Sequence, residues 1–164
     1  MTTGTPNVNN IFNIYHVITL LFLLWIALYD VRHHKIRNTA LLAFFIWCLF
    51  SVPITIYTQL FIAWQYLLLH CLFGFITGFG IFLFVSISTN GSIGGGDIKL
   101  VGLLGILYGT SGLMAVLITA CLIALLHYLF YRLLKRRKTE SIPFAPYLFW
   151  GCSIYILPRL FTLL

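Results

Sequence analysis

The chain has 164 residues, 61% of them hydrophobic and only 8% charged, with a net charge of +7. A soluble domain is about a quarter charged, so this composition excludes a soluble globule. Apolar runs of about 18 residues or more read as transmembrane helices instead. The basic residues lie in short segments between apolar runs, the pattern of cytoplasmic loops. No nucleic-acid partner is expected on that ground. We read residues 1–164 as one all-α integral-membrane domain with about six transmembrane helices and no soluble domain.

The polar segment up to Asn10 has no basic residue, so the run after it reads as a retained helix and not a signal peptide. The first span is predicted from Ile11 to Tyr29 and is closed by Asp30. The basic stretch Arg32, Lys35 and Arg37 leads to a second span over 38–57. A third covers 61–87 and is long enough to tilt. The fourth begins at Asp97 and reaches about Tyr108. A dozen residues give roughly 18 Å, short of a hydrocarbon core of about 30 Å. The glycine-rich loop before this span must therefore dip inward or meet a thinned membrane. A fifth span covers 112–131, followed by the basic run Arg132 to Lys138, and a sixth covers 146–163. The segregation of Lys and Arg puts 31–38, 88–97 and 132–145 on the cytoplasmic face, with the N-terminus outside. Contacts with membrane lipids, anionic ones included, are expected of the basic run.

Only three acids occur in the chain, Asp30, Asp97 and Glu140. Asp30 and Asp97 fall on the same face at the same depth, although far apart in sequence. Ionisable groups at membrane depth are costly and mark functional sites. Two carboxylates brought together do not both ionise easily and can share a proton. That is the requirement of aspartyl proteolysis, in which one carboxylate takes a proton from water and the other polarises the scissile carbonyl. No metal or other cofactor is expected. Gly94, Gly95 and Gly96 precede Asp97 and read as a substrate-facing loop. Gly74 with Gly78, and Gly105 with Gly109, have the spacing that lets helix backbones approach closely. Cys48, Cys71, Cys121 and Cys152 lie in apolar runs and read as small buried hydrophobes. A metal site of Asp30, His33 and His34 with Asp97 is the less favoured reading of those histidines; an interfacial basic cluster is preferred.

"GGGDIKL", residues 94–100, resembles the GxGD motif of the type IV prepilin peptidases, a family of intramembrane aspartyl proteases. "YDVRHHKIRN", residues 29–38, resembles that family's first catalytic segment, and "IPFAPYLFWG", residues 142–151, its Pro-rich approach to the last helix. The resemblance implies that Asp30 and Asp97 are catalytic, with Gly94 and Gly96 as the motif glycines. Gly95 belongs to the same loop, and Pro143 and Pro146 are candidates for lining the site. It implies a prepilin or prepilin-like secretion protein (pseudopilin) as substrate. Cleavage would fall after a glycine, before a hydrophobic helix, at the cytoplasmic face of a bacterial inner membrane. Two departures stand out. Arg37 replaces a frequent Pro, and the chain has no insert with paired Cys-x-x-Cys motifs, so N-methyltransferase activity is not expected. The alternative is a small transporter or proton-relay protein using the same aspartates. It is disfavoured because only one span is short and glycine-interrupted, where such a transporter would show two matching ones. A presenilin-like protease of the same fold is a third reading.

Overall fold

The computed structural model describes residues 6–33, 35–58, 64–91, 93–135 and 143–162. His34, Arg136, Arg137, Lys138 and Glu140 lie outside the described residues. Five helices follow in order: α1 (Pro6–His33), α2 (Asn38–Thr58), α3 (Trp64–Ser88), α4 (Gly95–Lys135) and α5 (Ala145–Thr162). The described residues contain no strand.

The core is apolar, with Leu23, Ile26 and Ala27 of α1 buried, yet the outer face is apolar too, unlike that of a soluble helix bundle. Leu21, Trp25 and Leu28 of α1 point outward, while His16, Thr19 and Asp30 of the same helix are buried. In lipid the outward apolar face is already solvated, so helices associate through close packing, small residues and interhelical hydrogen bonds. One such bond joins α1 to α2: Trp47 Nε1 donates to Thr19 Oγ1 at 3.0 Å. Cys48 of α2 points at the Leu103 carbonyl of α4, with its sulfur 3.8 Å away. Between α3 and α4 the contact is backbone on backbone. Gly74 lies against the Gly105 carbonyl, and a Cβ on Gly78 would sit 2.7 Å from the Val101 carbonyl oxygen.

Helix ends are set by local chemistry. The Arg37 carbonyl accepts from the N–H groups of Ala40 and Leu41, opening α2. At the end of α3, Gly91 N–H donates to Ser86 O at 2.8 Å, with Asn90 and Gly91 at φ 52° and 81°. Asn and Gly are the residues that adopt this left-handed cap.

The expected count of six spans is corrected. Among the described residues, three helical stretches are by length and composition long and apolar enough to cross a membrane: Asn13–His33, Gln65–Ser88 and Gly95–Leu133, the last made of two arms. Asn38–Phe50 is a shorter apolar helix. The expected fourth and fifth spans are one element, α4, broken at Gly109, where φ is 62° and ψ is −172°. The break is a reversal. Asp97, Met114 and Cys121 line one groove, yet in a straight helix Asp97 and Cys121 would be about 36 Å apart. Leu113 likewise returns to Gly78 of α3, beside Val101 of the outgoing arm. His70 packs on Gly109 where any Cβ would sit, so only glycine fits this turn. The outgoing arm, from Gly95 to the break, is the short helix anticipated for the fourth span.

Candidate active site

Asp30 lies in α1, which runs three residues beyond it to His33, so it does not close the helix as expected. Its side chain is buried, and its Oδ2 accepts from the Ala145 N–H at 3.4 Å. Ala145 is the first residue of α5. Near the C-terminal end of its own helix an anion is disfavoured; at the N-terminus of another it is favoured. The apparent misplacement of this carboxylate is thus resolved by α5. Phe144 acts as the cap of α5, its carbonyl accepting from Tyr147 and Leu148 N–H. Pro146 falls in the first turn of α5, where a missing N–H costs no helical bond. Pro143 immediately precedes the capping residue. Neither proline lines the recess described below; both flank the residues that make the contacts.

Asp97 stands in the first turn of α4, the favoured place for an acid on a helix. The Gly94 carbonyl accepts from Asp97 N–H at 3.0 Å and from Ile98 N–H at 3.3 Å, so Gly94 caps α4. Gly95 and Gly96 are therefore helical and not part of a loop, a correction to the expected glycine-rich loop. Asp97 Oδ1 is buried and has no hydrogen-bond partner among the described residues. Buried polar atoms are nearly always satisfied, so this oxygen is free to engage a reactant.

Asp30, Asp97 and the three glycines line one recess of about 200 Å³, closed by Lys35 and Ile36 from the α1–α2 connection. The two carboxylates interact electrostatically across it. The glycines differ in what surrounds them. A Cβ on Gly96 would meet Ile36 Cβ at 2.8 Å, and one on Gly94 would meet Asp97 Oδ2 at 3.3 Å. A Cβ on Gly95 meets nothing within 4 Å. None of the three has positive φ, which in this region is confined to Asn90 and Gly91. The demand at Gly94 and Gly96 is for space, not for backbone freedom.

Lys99 Nζ donates to Asn38 Oδ1 at 3.4 Å, tying the starts of α4 and α2 together. The His33 ring stacks on Tyr29 with centroids 4.1 Å apart, and its Nδ1 lies 3.2 Å from the Tyr29 carbonyl oxygen. The Arg37 guanidinium sits 5.9 Å over the same Tyr29 ring. Cys121 is exposed and Cys71 half-buried, not buried as expected, while Cys48 and Cys152 are buried. Sequence reasoning missed Ala145 because its contribution is a backbone N–H. It missed Ile36 because nothing local marks a connecting isoleucine as the wall of a carboxylate site.

The type IV leader peptidase family is matched over residues 17–129, a stretch that carries both Asp30 and Asp97. No curated protein and no solved structure matches the chain. The match covers well over half of the sequence and both walls of the recess, and the chain belongs to the type IV leader peptidase family.

Proposed function

We propose that the protein is an intramembrane aspartyl endopeptidase that removes the leader from type IV prepilins or prepilin-like secretion proteins. Cleavage falls at the cytoplasmic face of a bacterial inner membrane, after a glycine and before the hydrophobic helix. The observation that carries this reading is the convergence of Asp30 and Asp97 on one small recess.

The chemistry needs one ionised and one protonated carboxylate. The ionised member takes a proton from water as the water attacks the scissile carbonyl. The protonated member donates to the carbonyl oxygen, stabilising the tetrahedral intermediate; a proton then passes to the leaving amine. Asp30 is held by the Ala145 N–H, which suits a carboxylate kept in one orientation. Asp97 has an unpartnered buried oxygen, which suits contact with water or substrate. A coupled pair of carboxyl groups titrates as a unit. Gly94 leaves room beside Asp97 Oδ2, and Gly96 lets Ile36 close against the start of α4.

The test is co-expression with candidate prepilins and N-terminal sequencing of the products. Asp30→Asn and Asp97→Asn should each abolish cleavage while the protein remains inserted, because an amide can neither take up nor supply the proton. Residues that act as a unit are non-additive, so the double variant should be no worse than either single one. Substantial cleavage by either single variant removes this assignment.

A further inference from the structure

A second concavity of about 540 Å³ shares Asp97 with the recess. Its walls are otherwise apolar: Ile81 and Val85 from α3, Met114, Ile118 and Cys121 from the returning arm of α4, and Phe144 beside α5. Ile81, Val85 and Ile118 are exposed on the outer surface of the bundle, so the groove opens sideways towards lipid. From Met114 to Cys121 it spans about 10 Å, roughly two helical turns.

We propose that this groove seats the apolar helix of the substrate next to the scissile bond and selects for side-chain size there. The proposal rests on the peptidase reading and adds to it a place and a specificity. An occupant of such walls must satisfy its own backbone hydrogen bonds, as a helix or an acyl chain does. The carboxylate in the wall distinguishes the two. An acyl chain gives Asp97 nothing to bind, whereas a helix that unwinds at this end presents unpaired amide groups where the wall turns polar. Non-helical backbone at membrane depth is tolerated at such a wet, protein-lined boundary. The substrate helix can then enter laterally from the bilayer and reach the dyad without crossing a polar surface.

The experiment fills the groove. Ile81→Trp and Ile118→Trp add bulk at outward positions, with Ile76→Trp, exposed on α3 but outside the groove, as control. Overpacking a site costs roughly 1–3 kcal/mol. The groove variants should therefore lose about 5- to 150-fold in kcat/KM, mainly through KM. Cleavage should return with prepilins carrying alanine at the first apolar positions after the scissile bond. A merely structural defect would not be relieved by a smaller substrate. As a second readout, Cys121 in an Asp30→Asn, Cys71→Ser protein should cross-link through a short bismaleimide to single cysteines in a bound prepilin. Reactive positions should recur every three or four residues. If the parent cleaves prepilin, the groove proposal alone is wrong under any of three results: the tryptophan variants cleave as well as the parent, small residues give no relief, or Cys121 does not cross-link. If the parent cleaves no prepilin, the peptidase reading fails and this proposal fails with it.

Discussion

Adding one methyl group to each glycine before Asp97 should separate three effects. At Gly96 the new Cβ would sit 2.8 Å from Ile36 Cβ, closer than real Cβ atoms approach. The contact is at the branch point of Ile36, so rotating the side chain's tip gives no relief. Either the α1–α2 connection or the start of α4 must move. Such overpacking costs roughly 1–3 kcal/mol. Expressed wholly in the transition state, that is about 5- to 150-fold in rate. Gly96→Ala should therefore lower both cleavage per inserted molecule and thermal stability in detergent, and Gly96→Val should lower them further. At Gly94 the Cβ would meet Asp97 Oδ2 at 3.3 Å. The carboxylate can rotate away, so Gly94→Ala should lose cleavage with little loss of stability. At Gly95 the Cβ meets nothing within 4 Å. Alanine is a better helix former than glycine by about 1 kcal/mol, so Gly95→Ala should keep activity and gain slightly in stability. The assay is leader removal from a co-expressed prepilin, normalised to membrane-inserted protein, beside a melting curve for each variant. Parent-like cleavage by Gly96→Val, or a greater loss at Gly95 than at Gly96, would refute this steric account.

Ala145→Pro removes the N–H that Asp30 accepts while leaving a residue tolerated in the first helical turn. A hydrogen bond to a charged group contributes about 1.5–3 kcal/mol, so cleavage should fall at least tenfold, and unchanged kinetics would exclude a role for this contact. Gly74→Val places a branched side chain against the Gly105 backbone. It should separate α3 from α4 and show as loss of folded protein in detergent, not as an inserted but inactive enzyme. Single cysteines at Arg32 and Lys35 should resist membrane-impermeant maleimide added to intact cells and react after permeabilisation. Labelling from outside would reverse the orientation argued from charge.

What could be read from the sequence was whatever composition makes conspicuous. Two acids in so apolar a chain pointed to each other, and the structure puts Asp30 and Asp97 on one recess. The spacing of Gly74 and Gly78 signalled close backbone packing, which the α3–α4 contact displays. The start of the short helix was legible to within two residues, since Asp97 is an acid suited to a first turn. What failed depended on long-range geometry. The sequence marked a boundary near residues 109–111, yet not that Gly109 alone makes the reversal, with helix directly on either side of it. The triplet looked like a loop because three glycines usually disfavour helix, but a cap at Gly94 and packing on Ile36 override that propensity. Ala145 was invisible because an N–H carries no residue signature.

The placement of the aspartates also bears on how a membrane protein keeps two carboxylates together at all. Each acid meets the N-terminus of a helix: Asp97 the first turn of its own α4, Asp30 the first residue of α5. A helix N-terminus carries about half a positive charge and stabilises an adjacent anion by about 0.3–1 kcal/mol, up to about 2 where partly buried. Two such ends converge on one recess with Lys35 in its wall, and both favour negative charge there. The carboxylates oppose each other across the recess, so the proposed cleavage would begin from a pair that shares one proton. The reversal at Gly109 serves the same end. A straight α4 would carry Met114, Ile118 and Cys121 far from Asp97; the hairpin returns them to its side. One glycine at a fixed turn thereby sets the apolar groove against the carboxylate.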